Sequence, residues 1–177
     1  MTGIISNATP LIYLAKAGML RLLKEVYGEV AIPEEVKIEV VDRGKRLGER
    51  DAHIVERAIS EGWLRVLNAE AVKLPIELDP GEVAVLSLAK RTGTVEVLVD
   101  DAPARAAAGM LDLKPRGTVF VLLQALEMRK LDLDGFLESL NRLIGCGFRL
   151  REEVYVEAVR EARRIAGDNR NERVRKS

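Results

Sequence analysis

The spacing of apolar positions along this chain switches repeatedly between short uninterrupted runs and runs at helical intervals, which predicts strands alternating with helices. Residues 3–6, "GIIS", form the first short run. "TPLIYLAKAG" then predicts a helix with Thr9 as N-cap, Pro10 at the first helical position, and Leu11, Leu14 and Ala15 on one face. "MLRLLKEVYG" predicts a second helix stopped by Gly28, and "VAI" before Pro33 a second strand. "PEEVKIEVVDRG" is expected to be helical from Pro33 to Gly44, and "ERDAHIVERAISEG" to be an amphipathic helix stopped by Gly62. "LRVL" predicts a short third strand. "DPGEVAVLSLAKRTG" has helix signals at both ends, and the β-branched "VEVLV" after it is a fourth strand. Helices are expected over "APARAAAGML", "GTVFVLLQALEMRKL", "DLDGFLESLNRLIG" and "EEVYVEAVREARRI". The alternation predicts an α/β sandwich around a mainly parallel sheet.

Length and composition narrow the function classes. With 177 residues, 47% of them apolar, the chain can bury a sizeable core, and one domain over residues 1–166 followed by a mobile polar tail over residues 167–177 is expected. Lys+Arg and Asp+Glu both number 28, so net charge argues for neither a nucleic-acid nor a membrane partner, and any such partner must be read from a local site. One cysteine, Cys146, and one histidine, His53, disfavour a disulfide framework and Cys/His metal chemistry. A cytoplasmic protein with no membrane span is the expectation.

In parallel sheets, ligands gather beyond the carboxyl ends of the strands. Four places there carry polar residues: Asn7 with Thr9, Glu39, Glu82, and the Asp100/Asp101 pair. Glu82 begins the apolar stripe of its helix, with Val85, Leu86 and Ala89 on the same face, where an unpartnered carboxylate is costly. A capping box with Asp79 accounts for Glu82 equally well. One aspartate of the pair can cap the following helix, which leaves the other unexplained. Solvation of Glu39 and a turn role for Asn7 are the ordinary readings of those residues. Taken together, acidic oxygens without Cys or His suit a hard divalent cation, Mg2+ or Mn2+, and phosphodiester hydrolysis.

The ordered set "ISNATPLIYLAKAG", "VAIPEEVKIEV", "LDPGEVAVLSLAK", "VLVDDAPARAAA" and "LKPRGTVFVLLQALEMRKL" resembles PIN-domain proteins, and most closely an archaeal and bacterial PIN-like branch related to toxin-type ribonucleases. The resemblance spans roughly residues 3–165. It implies a three-layer α/β/α sandwich and a Mg2+- or Mn2+-dependent endoribonuclease cutting single-stranded RNA, in some members the toxin of a toxin–antitoxin pair. Its acidic quartet falls on Asn7, Glu39, Glu82 and the Asp100/Asp101 pair, with either aspartate eligible and Thr9 as accompanying hydroxyl. The implied catalytic residues are Glu39, Glu82, Asp100 and Asp101; the implied metal ligands are Asp100, Asp101, Glu82 and Asn7. Asn7, Thr9 and Arg105 are the implied substrate contacts, Arg105 being equally placed for an i,i+4 ion pair with Asp101. An antitoxin and a second copy of the chain are the implied protein partners.

The sequence departs from that pattern at Asn7, where the family usually has Asp. Asn keeps an oxygen donor and drops a charge, which weakens the expected activity without removing it. The alternative is a catalytically degenerate PIN-like protein that binds RNA or a protein partner. A receiver-like domain is disfavoured because the acidic pair comes late, and a dinucleotide binder because no G-x-G-x-x-G follows the first strand. The stripe Val119, Leu122, Leu123 and Leu126 is expected in the core or at a dimer contact.

Overall fold

The computed structural model describes residues 3–74 and 76–176. Its five strands form one all-parallel sheet: β1 (Ile4–Ser6), β2 (Val30–Pro33), β3 (Leu64–Leu67), β4 (Glu96–Leu98) and β5 (Lys114–Arg116), in spatial order β3-β2-β1-β4-β5. The chain therefore builds outward from β1 through β2 to β3, then returns to the other side of β1 for β4 and β5. This reversal puts a topological switch point between β1 and β4, where ligands of open α/β sheets bind.

Burial follows position in the sheet. β1 and β2 are buried throughout, whereas the edge strand β5 is exposed or half-buried. Strand β5, "KPR", has no apolar pattern and carries Pro115, so the chain's periodicity does not announce it. Among the described residues it pairs with β4 alone, and an edge is where a proline's missing N–H is tolerated.

The helices are α1 (Ala8–Lys16), α2 (Arg21–Tyr27), α3 (Glu34–Lys37), α4 (Gly44–Arg46), α5 (Arg50–Ser60), α6 (Pro80–Thr92), α7 (Ala102–Met110), α8 (Thr118–Glu127), α9 (Leu133–Gly145) and α10 (Glu152–Lys176). Helix α6 packs on β1, β2 and β4, and its buried Val85, Leu86, Leu88 and Ala89 join Ile4, Ile5, Ile32 and Leu98 in the core. Leu122 of α8 and Phe136 of α9 are also fully buried, and the α/β sandwich read from the alternation is the architecture found.

Three local readings are corrected. Helix α1 begins at Ala8, so Asn7 is its N-cap and Thr9 lies inside it, because the chain turns directly out of β1. Pro33 ends β2 and is the N-cap of α3 rather than its first residue. Gly44 does not stop that helix, which passes through a π-helical stretch, Ile38–Arg43, and runs on to Arg46. The polar end of the chain continues helix α10 through Lys176, and Asn169 donates to the Leu126 carbonyl. Ser177, the last residue of the expected tail, and residues 1 and 2 of the expected domain lie outside the described residues, as does residue 75. Among the described residues no helix is long and apolar enough to cross a membrane.

Candidate metal centre

Asn7 leaves the buried end of β1 and is tied to the neighbouring strand, its N–H donating to the Leu98 carbonyl at 2.9 Å. Only 7% of the residue is exposed. Its side chain makes no capping bond, and its Oδ1 is buried with no hydrogen-bond partner among the described residues. A buried carbonyl oxygen left this way is unfavourable unless something outside the protein meets it.

What Oδ1 faces is defined by Gly81. A Cβ built on that glycine would lie 3.3 Å from Asp79 Oδ1, 3.4 Å from Glu39 Oε2 and 3.5 Å from Asn7 Oδ1. Three oxygens from three separate elements thus surround a space that any side chain would begin to fill. Glu39 reaches it from the π-helical stretch after β2, a backbone form that recurs at functional sites. Asp79 and Glu82 come from the start of α6 and form the reciprocal capping box that the sequence allows. Glu82 N–H donates to Asp79 Oδ1 at 2.8 Å, and Asp79 N–H donates to Glu82 Oε2 at 3.2 Å. Capping does not exhaust Glu82, which is 6% exposed and feels the charges of Asp79, Asp101 and Glu39.

The acidic pair divides at the end of β4. Asp100 turns to the adjacent strand exit: Oδ1 accepts from the Thr118 N–H at 2.8 Å and Oδ2 from the Thr118 hydroxyl at 2.6 Å. It thereby holds the first turn of α8, and Gly117 allows the approach, since a Cβ there would lie 3.0 Å from Asp100 Oδ1. Asp101 is exposed, is the N-cap of α7 without a side-chain bond, and faces Glu82 electrostatically. The structure therefore brings Asp79, Glu39 and Asn7 together at Gly81, sets Asp101 within electrostatic reach of Glu82, and bonds Asp100 to Thr118. Arg105 donates from Nη1 to the Val99 carbonyl at 3.1 Å, and its charge acts on Asp100. Thr9 is half-buried in the first turn of α1.

Burial, and for Glu82 and Glu39 the neighbouring acids, shows in the proton affinities of these carboxylates. Burial raises the Glu82 carboxyl above its ordinary pKa, the bond from the Asp79 N–H lowers it, and the neighbouring acids raise it further. Glu39 is raised by burial and then by Asp79, with Arg43 opposing. Asp100 is raised by burial, against the two Thr118 bonds and Arg105. A site that holds excess negative charge this close together favours a cation.

Among the described residues no group of three or more carboxylate, imidazole or thiolate side chains stands together as a ready metal-binding set. The set around Gly81 is two carboxylates and one amide, all oxygen, which fits a hard divalent ion that keeps part of its water shell. Asp79 and Gly81 are the members that pattern reading passes over, because Asp79 is fully explained as a cap. The available signal is Gly81 itself, since glycine within a helix costs roughly 0.5–1 kcal/mol against alanine unless a close approach requires it.

Comparison with curated proteins returns no match. A family model described as a PIN domain matches residues 3–164, which takes in the whole sheet, the switch point and every residue placed around Gly81, and the chain belongs to the PIN-domain family.

Proposed function

We propose that the protein is a Mg2+- or Mn2+-dependent endoribonuclease that hydrolyses phosphodiester bonds of single-stranded RNA at the β1/β4 switch point. The PIN domain is a nuclease-type fold whose members generally use divalent metal ions. The observation that carries the reading is the unpartnered, buried Asn7 Oδ1 set against Glu39 across Gly81, with Glu82 and Asp101 alongside. In this role Asn7, Glu39, Glu82 and Asp101 hold the ion, and Asp100 positions the loop through Thr118. When bound, the ion would neutralise charge developing on the phosphate and acidify a water. Glu39, with its raised proton affinity, accepts the proton of the attacking water. Thr9 and Arg105, at the entrances of α1 and α7, contact the RNA backbone.

A homodimer in the cytoplasm is part of the same reading. Leu122 and Leu126 are buried in the core, whereas Val119 and Leu123 are half-buried and line a groove with Val154 and Ala158 of α10 that a second copy could cover. Directed at cellular RNA, the activity is that of a toxin held in check by an antitoxin. Expression of the wild type, and not of Asp101→Ala, is then expected to slow host growth.

The degenerate binding-module reading is favoured by one feature, the neutral amide at Asn7. Cleavage of a mixed-sequence single-stranded RNA with Mn2+ separates the two. Cutting by the wild type that is lost on adding a chelator and in Asp101→Ala supports the nuclease. RNA binding without cutting, with activity gained in Asn7→Asp, supports the binding module.

A further inference from the structure

We propose that Asp79, besides capping α6, is a ligand-side residue of the cation site, and that it supplies the negative charge that Asn7 lacks, which lets Asn7 serve there as a neutral oxygen donor. The inference rests on the metal-dependent reading above and adds a residue to it. A divalent ion in a partly buried site is best held by donors that balance its charge. Glu39, Glu82 and Asp101 bring charge to the reading above, and Asn7 brings none. The remaining oxygen within 3.5 Å of the Gly81 Cβ position belongs to Asp79, which completes a set of two carboxylates and an amide. Independently of the acids, the amide points to a ligand: Asn7 is more than nine-tenths buried and its Oδ1 has no partner. The oxygen that Asp79 presents beside Gly81 is Oδ1, which also accepts the α6 capping bond from the Glu82 N–H, and a carboxylate oxygen has a second lone pair for the ion or its water. Gly81, between cap and Glu82, keeps the enclosed space clear.

The test is Mn2+ binding to the full chain, read by the loss of the free-ion EPR signal, with thermal unfolding of the metal-free proteins as control. Asp79→Asn is the informative variant, because asparagine is an equally good N-cap and only the charge is removed. It is expected to weaken Mn2+ binding by about 10- to 100-fold with the metal-free melting temperature unchanged. Returning the charge from the other side, in Asn7→Asp combined with Asp79→Asn, is expected to restore binding. Gly81→Ala is expected to weaken it by obstructing the space. Undiminished binding in Asp79→Asn, together with loss in Glu39→Gln, overturns the role of Asp79 and leaves the nuclease reading standing. No binding by the wild type at millimolar Mn2+ overturns both.

Discussion

Replacing Asp100 by alanine tests whether the two adjacent aspartates hold different jobs. Both Asp100 oxygens accept bonds from Thr118, and Thr118 is fully buried, so the substitution strands an N–H and a hydroxyl with no water to meet them. Each stranded donor costs about 1–3 kcal/mol. Relief of a desolvated carboxylate, whose pKa is raised by burial, offsets part of this. The net loss is expected to be about 2–4 kcal/mol, and at about 2–4 °C per kcal/mol for a domain of this size the melting temperature falls by about 5–15 °C. Asp101→Ala removes an exposed carboxylate with no side-chain capping bond, so only its attraction to the N-terminus of α7 is lost, about 0.3–1 kcal/mol. Asp100→Asn keeps an acceptor for the Thr118 N–H and offers the hydroxyl an amide donor, and is expected to melt within about 1 kcal/mol of the wild type. The assay is thermal unfolding by circular dichroism in metal-free buffer. Equal losses in Asp100→Ala and Asp101→Ala, or wild-type melting of Asp100→Ala, would refute the division of roles.

Further expected outcomes bear on the rest of the molecule. Glu39, Glu82 and Asp100 are raised in the folded state, so their contribution to stability is fully present below the unfolded values of 4.5, 4.5 and 3.8 and is lost as pH rises through the folded values. Melting temperature against pH, with and without Mn2+, is therefore expected to show a decline above that point that Glu82→Gln, which preserves the capping box, reduces. Bound Mn2+ is expected to reverse the decline, and a flat profile in the metal-free wild type would count against the raised proton affinities of these buried carboxyls. Phe136→Ala, at a fully buried ring in α9, is expected to cost about 3–5 kcal/mol in denaturant unfolding. Deleting residues 167–176 removes the polar end of α10 with its Asn169 bond, and is expected to cost about 1 kcal/mol, which calorimetry would detect.

Much of the fold was legible in the chain because hydrophobic period and stop signals are local. The Asp79–Glu82 capping box, the Gly93 C-cap in left-handed geometry, and the buried strands "IIS" and "VAI" with the helices after them are all decided within a few residues. Local rules failed where a neighbour overrode them. Strand β5 exists because β4 offers it a ladder, not because "KPR" prefers to be extended. The helix at Pro33 ran past Gly44 because a π-helical stretch carries it on.

The site divides along the same line. Residue type and order single out Asn7, Glu39, Glu82 and the aspartate pair as hard oxygen donors at strand exits, where the loops of a parallel sheet converge. Only the tertiary structure could separate Asp100 from Asp101, because the choice depends on Thr118, eighteen residues away and brought alongside by the pairing of β4 with β5. It also decided that Asp79 faces Glu39 and Asn7 across Gly81, a meeting of three elements that are distant in the chain and adjacent only because the sheet order places β1 beside both β2 and β4. Spacing along a chain specifies which face of a helix or strand a side chain takes, and strand order specifies what that face meets.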